Sequence, residues 1–89
     1  MIVAVTKSFE KDMLNVTDKK LATHLIAAIG RIESASTLSE IPNLKKIQAR
    51  GNYYRLRIGP FRLGFRFDSP ETVVLLRFMH RKDIYDNFP

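Results

Sequence analysis

Apolar and basic residues take turns along residues 53–67. Tyr54, Leu56 and Ile58 alternate with Arg55 and Arg57 up to a Gly59-Pro60 break, and Phe61, Leu63, Phe65 and Phe67 are interleaved with Arg62 and Arg66 after it. A strand sends successive side chains to opposite faces, so this spacing predicts a β-hairpin with one apolar face and one row of arginines. Residues 1–6 are short and β-branched, which predicts a first strand buried on both sides. Phe9, Met13 and Val16 then recur at helical spacing in a short helix that Ser8 can cap, with Glu10 and Asp12 in its first turn. Thr17 is a good N-cap for a second helix, whose stripe of Leu21, Leu25, Ala28, Ile29 and Ile32 suits a helix lying on a sheet and fades at Ser34. Aspartate in place of Ile29 is expected to unfold the domain.

Residues 36–52 are polar and mixed, with Pro42 and Gly51 as breakers, and read as a loop with one helical turn. Asp68-Ser69-Pro70-Glu71 supplies a turn, and residues 72–79 form a third strand. The first half of that strand is apolar on both faces, so it belongs inside the sheet, paired with the first strand across the helical crossover. The expected fold is α+β within one domain, residues 1–89. An N-terminal strand and a helical hairpin lead into an antiparallel three-stranded meander, all in one sheet.

Charge changes this picture more than composition does. Residues 1–40 hold five basic and five acidic side chains, whereas residues 41–89 hold ten basic and four acidic, so the net charge of +6 lies in the second half. Between Leu44 and Phe67 stand Lys45, Lys46, Arg50, Arg55, Arg57, Arg62 and Arg66 without one acid, the footprint of a surface that meets phosphate. With no cysteine and two histidines, neither a thiolate nor a His-rich metal site is expected, and no cofactor. No run of about 18 apolar residues is present, so a cytoplasmic protein without a membrane partner is expected.

The meander brings Arg55, Arg57 and Arg62 toward Arg81 at the exit of the last strand. Arginine forks match phosphate oxygens bidentately and can offset charge developing on a phosphodiester. Tyr85, four residues past Arg81, adds a phenol able to stack on a base or exchange a proton. Such a set fits a metal-free ribonuclease, in which the ribose 2′-hydroxyl attacks the adjacent phosphate. Plainer roles stand beside these: Arg55 as a strand residue paired with an acid, Tyr85 as a ring packed on the sheet, and His80 as a structural histidine. Arg66 is expected to pair with an acid, and His24 to be exposed.

Tyr53-Tyr54-Arg55-Leu56-Arg57-Ile58-Gly59, Phe61-Arg62-Leu63 and His80-Arg81-Lys82-Asp83-Ile84-Tyr85 together resemble the RelE/ParE toxin superfamily, in its RelE-type branch. The resemblance implies a RelE-like microbial RNase fold. It also implies an mRNA interferase that cuts messages in the ribosomal A site, leaving a 2′,3′-cyclic phosphate and a 5′-hydroxyl, and a cognate RelB-like antitoxin that blocks the basic face. By motif, Arg62 and Arg81 match phosphate-contacting and catalytic arginines, and Tyr85 the tyrosine at the cut site. Arg57 joins the catalytic set, and Lys45, Lys46, Arg50, Arg55 and Lys82 the RNA-binding set. Arg55 and Arg57 stand where lysines are common, which moves proton removal to Tyr85, His80, a ribosomal group or no group at all, the last implying slow or absent cleavage. Only a turn over residues 82–88 is left to cover the site. ParE-like relatives share the fold but bind DNA gyrase; such a gyrase inhibitor, or a catalytically weak ribosome- or RNA-binding relative, is the alternative.

Overall fold

The computed structural model describes residues 1–47, 51–68 and 71–88. The turn predicted at Ser69 and Pro70 therefore lies outside the described residues. In chain order the elements are β1 (Ile2–Val5), α1 (Lys7–Leu14), α2 (Lys19–Ser34), a 3₁₀ turn (Leu38–Glu40), β2 (Leu44–Lys46), β3 (Tyr53–Ile58), β4 (Phe61–Asp68), β5 (Thr72–His80) and α3 (Arg81–Asn87). The strands form one sheet in the order β1-β5-β4-β3-β2. The expected α+β fold is present, with five strands in a mixed sheet.

The hairpin has the predicted faces. Leu56 pairs with Leu63 and Arg57 with Arg62, so the apolar row and the arginine row lie on opposite sides. Its two-residue turn begins at Gly59 with φ 56°. With Pro60 barred from positive φ at the next position, only the II′ member of the tight hairpin turns fits. On the apolar face α1 and α2 cover the sheet, where Phe9, Leu25, Ala28 and Ile32 join Leu56, Leu63, Phe65, Val73, Leu75 and Phe78 in one core. Ile29 is only partly buried at the edge of that core.

β1 departs from its expected burial. It pairs in parallel with β5 alone and forms an edge, leaving Ile2 62% exposed and Val5 half exposed. β5 takes the interior place its apolar first half requires, between β1 and β4. β2 was hidden within the expected loop, because three residues with two lysines carry no readable period.

Both caps also shift. Thr6, not Ser8, caps α1, its hydroxyl accepting from Phe9 N at 3.1 Å and reaching the carbonyls of Leu75 and Leu76. Asp18, not Thr17, caps α2 by accepting from the amides of Lys20 and Leu21.

A register shift opposite Gly64 and Phe65 leaves Leu76 unpaired in β5. Next to it Arg77 makes a two-pronged contact with Asp12 of α1, at 2.8 and 3.1 Å, and Asp12 also accepts from Phe78 N. This joins α1 to the sheet through three hydrogen bonds. Removing the carboxylate leaves a mostly buried guanidinium unpaired, so Asp12→Ala should lower unfolding free energy by about 3 kcal/mol, as read from urea denaturation. Leu25→Ala, at a fully buried position on α2, should lower it by a similar amount, roughly 3 kcal/mol.

Candidate nucleic-acid interface

The second face of the sheet carries the arginines, and α3 lies across part of it. Gly64 is central to that arrangement. A Cβ at this position would come within 2.8 Å of the Phe88 ring, so the missing side chain is the seat on which Phe88 rests. Tyr53 meets the same ring edge-on at 5.9 Å. Ile84, fully buried, is the second apolar anchor of α3. The expected single turn over the site is thus a seven-residue helix. Its start is tied to the hairpin turn, since Arg81 N donates to Pro60 O at 2.9 Å.

This docking brings Tyr85 over β3. The guanidinium carbon of Arg55 sits 4.5 Å from the centre of the Tyr85 ring, a cation–π contact rather than the ion pair that was its alternative. Tyr85 remains 66% exposed, so its ring is not packed away in the sheet. A groove of about 380 Å³ runs between Lys45, Arg55, Arg57, Arg62, Tyr85 and Asn43, with no acid in its lining among the described residues.

Cross-strand register sharpens the charge. Lys45 stands directly opposite Arg55, and Arg57 directly opposite Arg62. Like charges placed so are destabilising. Among the described residues the ion pairs are Arg66 with Asp68, at 2.7 Å, and Arg77 with Asp12, so the groove arginines have no carboxylate partner. Arg66 is thereby paired as its strand position suggested.

Burial holds the Arg62 guanidinium below the usual arginine value. Tyr85 works against that shift, and the positive charges of Arg57, Arg81 and Arg55 add to it. Arg62 is held by its own turn, Nη1 donating at 2.9 Å to the carbonyls of Gly59 and Phe61. Arg57 donates through Nη2 to Asn43 Oδ1 at 3.2 Å, while its backbone N–H donates to Asn43 O.

The structure brings Lys45, Arg55, Arg57, Arg62 and Tyr85 together around the groove, while Arg81 stands outside its lining with its charge acting on Arg62. Lys46 pairs with Tyr54 and so falls on the helix-covered face. Lys82 is exposed on α3, and its amide donates to His80 Nδ1 at 3.1 Å. His80 acts as the N-cap of α3 and sits edge-on to Phe61, on the face opposite Arg62. Arg50 lies outside the described residues.

Comparison with known proteins fits this geometry. Residues 3–85 match the ParE toxin family of type II toxin–antitoxin systems, parDE. Toxin RelE3 of Methanocaldococcus jannaschii is 33% identical over 90 residues, covering 100% of both chains. This chain belongs to the RelE/ParE toxin superfamily.

The toxin in the RelB–RelE antitoxin–toxin complex from Methanococcus jannaschii superimposes on it with a TM-score of 0.81 and 31% identity, over 97% of this chain and 99% of that one. The archaeal RelE–RelB complex from Pyrococcus horikoshii OT3 shares the fold, with a TM-score of 0.74 at 18% identity over 92% and 96% of the chains. The chain is accordingly a toxin of the RelBE type.

One groove residue of this RelE/ParE toxin went unread in the sequence. Asn43 has φ 63°, a backbone state that asparagine tolerates better than most residues, and it turns the chain so that both its carbonyls meet Arg57. The Pro42-Asn43 pair was the available signal, as a turn marker. Alanine at Gly64 should unseat Phe88 and loosen α3 without touching the helix-side core. Backbone amide exchange should then rise across α3 while the fully buried β5 positions Val73 and Leu75 stay protected.

Proposed function

We propose that this toxin is an endoribonuclease that cuts mRNA in the ribosomal A site, with Arg57, Arg62, Arg81 and Tyr85 as its working residues. The observation that carries the reading is the juxtaposition of Lys45 with Arg55 and of Arg57 with Arg62, without acids, beneath an exposed tyrosine. A sheet retains like-charge pairs of this kind where a polyanion will relieve them. Phosphate does so along a strand of RNA, and an exposed aromatic ring beside it stacks on a base.

In the proposed reaction the 2′-oxygen bonds to phosphorus, the bond to the 5′-oxygen breaks, and a cyclic phosphate and a 5′-hydroxyl result. One proton leaves the 2′-hydroxyl and one is delivered to the departing oxygen. Arg62 and Arg81 stabilise the extra negative charge on the phosphoryl oxygens, and Arg57 and Arg55 hold the strand. Arginine in place of lysine at position 57 offers a fork of donors for phosphate rather than a base. His80 faces the other side of the sheet, so Tyr85 or a ribosomal group handles the protons. Lys45 and Lys82 extend the phosphate contacts. A RelB-like antitoxin, as in the complexes of the archaeal relatives, covers this face in the resting cell, and the site of action is the cytoplasm.

A second reading follows from the match to the ParE toxin family: inhibition of DNA gyrase. Induction of the toxin with mapping of message 5′ ends separates the two. New ends at codon positions on translated messages support cleavage, whereas DNA damage with intact messages supports gyrase. Arg62→Ala and Arg81→Ala should each reduce cutting by at least about 100-fold with unchanged thermal unfolding; full cutting by both folded variants would remove the site assignment. RNA affinity should also fall with salt at a log–log slope of roughly −3, as expected for about four phosphate contacts to a single strand, measured by fluorescence anisotropy.

A further inference from the structure

A second cavity adjoins the groove on the other side of Arg57. β2 begins at Leu44, opposite Leu56 of β3, and the last backbone bond on this side runs from Arg57 N to Asn43 O, so past Arg57 β3 has an open flank above α2. The cavity fills this gap, with a volume of about 170 Å³. Its floor is apolar and buried, made by Ala28, Ile41 and Leu56. Its polar groups are His24 and Arg31, spaced i and i+7 on α2, together with Asn43 and Arg57. Among the described residues the lining contains no acid. Asn43 and Arg57, hydrogen-bonded to each other, form the wall shared with the arginine groove.

A pocket smaller than the roughly 300 Å³ at which drug-sized sites begin is suited to one flat ring system rather than to a whole nucleotide. The apolar floor suits the faces of such a ring, and the basic rim suits its acceptors. Arg57 lies between this pocket and the groove, so a phosphate held on Arg57 can have its neighbouring base in the pocket.

We infer that this cavity is a base-binding subsite for one purine, guanine before adenine, of the same RNA strand whose phosphates lie on the arginine face. The inference rests on the ribonuclease reading above. Arg31 supplies the discrimination. Its fork of donors matches the adjacent O6 and N7 acceptors of guanine, whereas adenine presents an amino donor there that arginine, having no acceptor, leaves unpaired. His24 offers a ring face or a ring nitrogen to the same base.

The test follows backbone amide shifts of the isotope-labelled chain, made by cell-free synthesis, on titration with 5′-GMP and, separately, 5′-UMP. GMP should move the amides of Ala28, Ile41 and Ile58 as well as those of the groove, and UMP the groove alone. Arg31→Ala should weaken the pocket response to GMP about tenfold and leave the groove response in place. Arg31→Lys keeps the charge and should still lose the preference for GMP.

Shifts confined to Arg55, Arg57, Arg62 and Tyr85 with both nucleotides would overturn the subsite and leave the ribonuclease reading standing. A pocket meant for a side chain of a protein partner predicts that same pattern. Equal pocket responses to GMP and UMP would overturn the guanine readout. Silence at both places would overturn the subsite and also remove the phosphate argument for the groove.

Discussion

The pairing of Leu56 with Leu63 places Arg57 opposite Arg62, and the rest of the protein depends on that register. A slip of one residue would turn every side chain of a strand to the other face, sending the apolar row to solvent and the arginines into the helix-covered core. Gly59 and Pro60 hold the register at the turn, and burial of Leu56, Ile58, Leu63 and Phe65 holds it along the strands. The repulsion between the arginines is small beside that burial. The core therefore decides where the charges stand, and the charges accept a crowding that they would avoid on a free surface.

The other half of the site comes from α3, which at seven residues is too short to be helical on its own strength. Ile84 and Phe88 anchor it to the sheet, and its first amide is tied to Pro60. Tyr85 and Arg81, one helical turn apart, are placed by those apolar contacts. Arg55 then meets Tyr85 from the strand side, so that the site is one surface assembled from two elements.

Much of this was legible in the sequence where a period ran long enough. The alternation over residues 53–67 and the α2 stripe both survive in the structure, and the apolar first half of β5 does lie inside the sheet. The failures have common causes. A run of β-branched residues reads the same at an edge as at the centre, so the exposure of Ile2 and Val5 was invisible. β2 is too short to show alternation, and without it Lys46 could not be assigned to the far face. Caps shifted because Thr6, Ser8, Thr17 and Asp18 are all competent acceptors; at α1 the contacts of Thr6 with Leu75 and Leu76 favour it, and at α2 Asp18 accepts from two amides of the first turn. Of the candidate site, the arginines and Tyr85 were readable from residue type and spacing. The part played by Asn43 was not, since it depends on a local backbone turn.

The parallel pairing of β1 with β5 joins residues 2–5 to residues 72–75, the most distant stretch of chain that any strand in the sheet must wait for. The meander of β3, β4 and β5 closes through near neighbours and can form early, whereas β1 cannot dock until residues 72–75 are present. α3 comes later still. During synthesis, then, a nascent chain stopped short of residue 72 has neither a complete sheet nor Arg81 and Tyr85, and this order of assembly keeps the arginine face unfinished until residues 81–85 have been made.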